Sequence, residues 1–275
     1  MFRKTARTAL HTAAIGLLLV GLSMWGTNVH AAENKEELPP VGPNASQGQL
    51  LQTREIDVTG DGKPDNVALF GTKQDNASPY FTKLFIVVSG PSQTQVVIPL
   101  EGGYNPQLGF CDVNGDRVPE IYVSAETGGS GGLSYYYLYT LKNNVPTAIP
   151  LPDPLHVQAT FKNNYVVKLK IGETGKSYKI DIKDKKADYD RFGVYKNGRL
   201  IKPIIVDVNP YGLLQPIDTN GDGVCELKGI QRITGIANAD TIGYVTSLWK
   251  WENGKWVLRE STIQKKLQPG HAGHQ

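Results

Sequence analysis

The sequence predicts an all-β protein, β-propeller-like with four irregular blades; the alternative is an open or irregular β architecture on the same loops. Three observations predict it. Nine-residue stretches with acids at positions one, five and nine begin at Asp57, Asp112 and Asp218. They recur at intervals of 55 and 106 residues, the second twice 53, so the spacing fits a repeat of about 53 residues with one loop-less unit, a period suited to blades of four strands. Between them run short apolar stretches that alternate as strands do, and no segment has the periodicity of a long amphipathic helix.

In order, the first unit offers strands over 66–72, 81–89, 95–100 and 107–111, and the second over 120–125, 134–141, 145–151 and 156–161. The loop-less unit offers 165–171, 177–182 and 203–207. The last offers 224–233, 242–251 and 255–260; its fourth strand would come from 50–57, a closure that joins the two ends of the domain.

Each loop has a chemistry of its own. Asp218-Thr-Asn220-Gly-Asp222-Gly-Val224-Cys-Glu226 places oxygen-bearing groups at alternate positions across a glycine-rich turn. Ca²⁺ takes about six to eight oxygen ligands, and a glycine at position six permits the sharp turn that makes them converge. Asp218, Asn220 and Asp222 would supply side-chain oxygens, Val224 its carbonyl and Glu226 a carboxylate. The first loop gives the same roles to Asp57, Thr59, Asp61, Lys63 and Asp65, and the second to Asp112, Asn114, Asp116, Val118 and Glu120. An EF-hand would close on an acid at position twelve, which here is Gly229, so that loop type is excluded. Metal-free hairpin turns are the alternative for any one loop; three copies with the acids repeated favour the ion. Histidine is scarce, so a zinc site has little to draw on and the expected cofactor is Ca²⁺.

At these loops, and at the apolar strands after the first two, the chain resembles the FG-GAP and VCBS repeats of secreted calcium-binding proteins, whose D-x-N-G-D-G-x-x-D/E loops join two strands of a propeller blade. Thr59, where Asn or Asp is usual, and Arg117, where glycine is usual, depart from that pattern. The resemblance implies a secreted, calcium-binding repeat protein, and 212–258 looks like the tail of uncharacterised secreted bacterial proteins with such loops.

Arg3, Lys4 and Arg7, an apolar run from Ile15 to Leu22, and Val29-His-Ala31 make residues 1–31 read as a cleaved secretory signal. Residues 32–50, polar and marked by Pro39-Pro40 and Pro43, read as a linker, 51–265 as one all-β domain and 266–275 as a flexible tail. Without the signal, Lys+Arg falls from 29 to 26 against 26 Asp+Glu, so no nucleic-acid footprint is expected, and no later segment is long enough to span a membrane. Cys111 and Cys225 flank calcium loops; an exported chain permits a disulfide, with two buried thiols as the alternative.

Other motifs carry two readings each. Gly172 to Ser177 imitates the end of a phosphate-binding loop but has Lys170 where that motif requires glycine, so it reads as a turn. Glu126 to Gly132 is a glycine-rich hairpin connection or a mobile lip over a site. Tyr135, Tyr137 and Tyr139, like Trp249, Trp251 and Trp256, suit packing first and sugar stacking second. Seven basic residues against three aspartates over 183–202 read as a solvated surface or a patch for an anionic polymer. His156 lacks an evident catalytic partner. The expected function is a secreted, non-enzymatic calcium-binding module, extracellular or cell-wall associated, whose partners are a cell-wall polymer, polysaccharide or surface protein. The alternative is a calcium-dependent hydrolase or lyase acting on an anionic substrate.

Overall fold

The computed structural model describes residues 48–90 and 95–267. The signal segment, most of the linker and most of the tail lie outside them. The described chain is all-β, with strands β1 (Gln49–Ile56), β2 (Asp65–Thr72), β3 (Phe81–Ser89), β4 (Gln95–Cys111), β5 (Glu120–Glu126), β6 (Ser134–Thr140) and β7 (Thr147–Ala148) in one antiparallel sheet, in chain order. A second sheet holds β8 (Val157–Lys162), β9 (Val166–Ile171) and β10 (Ser177–Asp181). After it come a short helix α1 (Lys186–Arg191) and the two-residue strands β11 (Tyr195–Lys196) and β12 (Arg199–Leu200). A four-stranded meander of β13 (Asp207–Ile217), β14 (Glu226–Thr234), β15 (Thr241–Glu252) and β16 (Lys255–Gln264) completes the chain.

The strands follow from alternation. In β9 the pattern Val167, Leu169, Ile171 buries every second side chain while Lys168 and Lys170 face solvent. Strand β4, expected as two pieces, is one bent strand of 17 residues. Its first part pairs with β3 and its last with β5, and the register slips between Tyr104 and Gln107, where Asn105 takes a positive φ of 45°. Such a bulge bends a strand without ending it.

The expected closure by 50–57 is not formed. Strand β1 pairs with β2, and the outer partner of β14 is β13. Pro210, Gly212 and Pro216 hide β13 from a reading based on alternation; an edge strand tolerates proline because one side makes no ladder bonds. The order of packing also departs from a propeller. One core joins β2–β5 across the bend of β4, through Val67, Leu69, Ile86, Ile98, Ile121 and Val123. Smaller clusters join Val113, Tyr122 and Leu138 to Cys225, and Tyr136 to Leu214 and Leu227. The largest joins Val167, Leu169, Ile171 and Ile180 to Ile233, Val245 and Ile263. The last meander therefore packs between the seven-stranded sheet and the three-stranded sheet that precedes it in sequence, whereas consecutive propeller blades would be neighbours. No helix among the described residues is long and apolar enough to cross a membrane.

Candidate functional site

The three predicted loops connect β1 to β2, β4 to β5 and β13 to β14, and the structure lines them up in one row. Each is built the same way. Asp57 accepts the N–H groups of Thr59, Gly60 and Gly62, Asp112 those of Asn114, Gly115 and Arg117, and Asp218 those of Asn220, Gly221 and Gly223. The fifth-position acids Asp61, Asp116 and Asp222 each accept the N–H two residues on, from Lys63, Val118 and Val224. Position six must take positive φ for the third of these N–H groups to reach the leading aspartate. Gly62 and Gly223 do so at 82° and 84°, and Arg117 is forced to 68°, at a cost of about 1 kcal/mol for a residue with a Cβ.

Stacking follows from small-against-branched packing. A Cβ on Gly60 would lie 2.9 Å from Val118, and one on Gly115 would lie 3.9 Å from Val224, so position four of one loop receives position seven of the next. Asp112 forms a parallel bridge with Val224, and Cys225 donates its N–H to the Asp112 carbonyl at 2.7 Å. The Cys111–Cys225 disulfide, with Cα atoms 6.0 Å apart, ties the second loop to the third. Asn143 donates its N–H to the Thr59 carbonyl while its neighbour Lys142 reaches Asp116, which fastens the first loop beside the second.

The closing acids lie behind the row, with Asp65, Glu120 and Glu226 only 1%, 0% and 4% exposed. Asp65 accepts the Val58 and Thr59 N–H groups through Oδ2, and its Oδ1 is buried with no partner. Glu120 accepts the Val113 N–H and the Asn114 amide. Burial, helped by the charges of Asp112 and Asp116, pushes its carboxyl up to about 7. Glu226 accepts the Thr219 hydroxyl at 2.6 Å and faces Lys250 Nζ at 3.6 Å. The leading acids move the other way. Burial pushes Asp57 up, but the N–H groups of Gly60, Gly62 and Thr59 outweigh it and hold the carboxyl below its usual value; for Asp218 the Gly223 N–H contributes most to the same lowering.

These oxygens keep some acceptor capacity unspent. A carboxylate offers about four lone-pair sites; the three backbone bonds on each leading aspartate use both sites of Oδ1 and one of Oδ2, so one site on Oδ2 remains. Asn114 and Asn220 each spend one lone pair of Oδ1 on the Asp116 or Asp222 N–H. Thr59 is buried and turns its hydroxyl to Asp57, so it is the poorest of the expected ligands. Asp116 is already paired with Lys142 at 2.8 Å. No three His, Cys, Asp or Glu groups among the described residues are drawn together as a ready metal cluster.

Lys142, just after β6, and Lys250, on β15, are side chains at the loops that sequence reading missed, and no spacing signal marks them, because each comes from another strand or its connection rather than from the loop. Glu173 is a third missed side chain: its Oε1 accepts the His156 N–H at 2.9 Å and lies 3.0 Å from Nδ1. The glycine-rich connection is no free lip, since Arg232 donates to the carbonyls of Ser130 and Gly131. Tyr137 and Tyr139 pack on the first core and Tyr136 on the clusters shared with the last meander. Of the seven basic residues in the run, Lys183, Lys185 and Arg191 pair with Asp181, Asp240 and Asp188, so fewer than half of its charges are held in ion pairs.

A family model described as the YybI C-terminal domain matches residues 155–264, the stretch from Leu155 to the end of β16 that encloses the largest core. The uncharacterized protein YybI of Bacillus subtilis (strain 168) is 33% identical over 228 residues, covering 80% of this chain and 86% of that protein. No solved structure matches. No FG-GAP or VCBS repeat family is found, which overturns the resemblance to those repeats. The likeness rests on three nine-residue loops, and short aspartate-capped turns of this kind are a local solution to satisfying backbone N–H groups that does not depend on the sheets around them.

Proposed function

The chain belongs to the YybI family, and we propose that it is a non-enzymatic extracellular binding protein in which Ca²⁺ neutralises the row of acidic loops. One observation carries the reading: three closing carboxylates lie buried behind the stacked loops, and while Glu226 faces Lys250, Asp65 has an unpartnered oxygen and Glu120 lies beside two further aspartates. Uncompensated buried charge costs several kcal/mol per ion, and an oxygen-ligated divalent cation is the fitting compensation. In each loop the leading Asp, the third-position side chain (Thr59, Asn114 or Asn220), the fifth-position acid, the seventh-position carbonyl and the closing acid would hold it. The disulfide between the second and third loops supports an oxidising, exported destination. A cell-wall polymer, polysaccharide or surface protein is the partner class this reading expects.

Calorimetric titration of Ca²⁺ into the protein and into Asp61→Asn, Asp116→Asn and Asp222→Asn tests it. The third loop, with Asn220 and Gly223, should bind tightest and lose most in Asp222→Asn. The second should lose least in Asp116→Asn, because Lys142 already neutralises that carboxylate. No heat in the parent, or equal heats in all three variants, would remove the reading.

A further inference from the structure

We propose that the groove between the β15–β16 hairpin and segment 150–156 binds a short neutral saccharide. The proposal deepens the binding-protein reading and uses none of its calcium ligands. The groove has a volume of about 420 Å³, within the range of about 300–1,000 Å³ typical of small-ligand sites.

One wall is aromatic. Trp251 and Trp256 meet edge to face with ring centroids 5.1 Å apart and planes at 69°, so their indoles form two sides of a corner. Trp256 donates its ring N–H to the Pro150 carbonyl at 2.7 Å, and Trp249 donates to Ser247 Oγ at 3.0 Å. With those polar atoms already committed, what remains for a ligand is ring surface. Trp249 and Trp256 also pack on core clusters; Trp251 packs on none, is half-buried, and lines the groove. A large aromatic held this way is fixed by its neighbours without being used to fill the core.

The opposite wall is polar and carries Asp153, His156 and Glu173. Glu173 is held by two bonds from His156 through Oε1, so Oε2 is left to accept. The imidazole itself is 87% exposed. Ring surface in the same groove as a held carboxylate, Glu173, matches the two chemistries of a sugar, whose C–H face stacks on an indole while its hydroxyls donate to acceptors at the rim. Lys255 offsets one of the two acids in the same groove, so a strongly anionic ligand is not favoured, and a cation is the competing ligand that the choline titration tests.

Three of the four tryptophans of the chain line this groove, which makes indole emission the direct readout. Cellotetraose, chitotetraose and maltotetraose, with choline chloride as a cationic probe, are titrated into the full chain by tryptophan fluorescence and calorimetry, in calcium and again in chelator. At least one tetrasaccharide should give a saturable emission change and heat. Trp251→Ala should weaken that binding about tenfold while melting close to the parent, since Trp251 fills no core. Glu173→Gln should weaken it with the indole wall intact. No saturable signal from any of the three up to about 10 mM, unchanged affinity in Trp251→Ala, or binding of choline alone would overturn the proposal. Saccharide binding in a protein that takes up no calcium would leave the groove standing and remove the calcium reading; calcium binding without saccharide binding would do the reverse.

Discussion

Replacing Cys111 and Cys225 together by alanine should lower stability by about 5 kcal/mol. The bridge spans a sequence separation of 114 residues, for which the chain-entropy relation gives about 4.8 kcal/mol at 25 °C. The contacts that hold the loops together do not need the bond: the N–H at position 225 donates to the Asp112 carbonyl, Asp112 pairs with Val224, and Val113, Tyr122 and Leu138 share one cluster. The loss therefore falls mainly on the freedom regained by the unfolded chain. Alanine is preferred to serine because Cys225 is only 2% exposed, and an unpaired buried hydroxyl would add about 1–3 kcal/mol. In a domain of this size each kcal/mol moves the melting temperature by about 2–4 °C, so scanning calorimetry should show a fall of roughly 10–20 °C. A loss below about 1 kcal/mol, or a reductant that destabilises the variant as much as the parent, would refute the reasoning.

Lys142→Met should raise the calcium affinity of the second loop by removing the ammonium 2.8 Å from Asp116; calorimetry showing the same or weaker binding would contradict this. Arg117→Gly should stabilise the protein by about 0.5–1 kcal/mol, measured by denaturant melts, because glycine takes the 68° φ freely. Asp240 accepts Lys185 Nζ at 2.7 Å, the Tyr189 hydroxyl at 2.6 Å and the Ile236 N–H. Burial pushes its carboxyl up, and these partners outweigh burial and hold it below its usual value. A lowered folded value means that its contribution is present above the unfolded carboxylate range and is lost as pH falls through the folded one. Asp240→Asn should therefore cost about 1.5–3 kcal/mol at neutral pH, and the gap to the parent should close below about pH 4; a gap independent of pH would rule the charge out.

Much of the architecture is legible because it is local. The loops can be read from residue type, since an aspartate that caps N–H groups two, three and five residues on needs no distant partner, and strands such as β9 declare themselves by alternation. Arg117 announces its positive φ through the glycines at the matching positions of the other loops. What stays hidden is tertiary. The prolines of β13 read as breakers until the strand is seen to lie at an edge. The packing of the last meander between two earlier sheets depends on which apolar faces meet, and alternation does not encode that. Lys142, Lys250 and Glu173 reach their partners only once separate elements have docked. The family resemblance failed for the same reason: it was carried by loops, whereas the matched family extends over 155–264, mostly sheet.

On the proposal that calcium neutralises the loop row, the ion also helps hold the domain together. Melting the purified protein by calorimetry at about 1 mM free calcium and in excess chelator tests it most directly. A site with a dissociation constant near 10 μM contributes about 2.7 kcal/mol at that concentration, so two occupied loops should raise the melting temperature by roughly 10–20 °C. Identical melting temperatures in calcium and in chelator would show that calcium adds nothing to the fold.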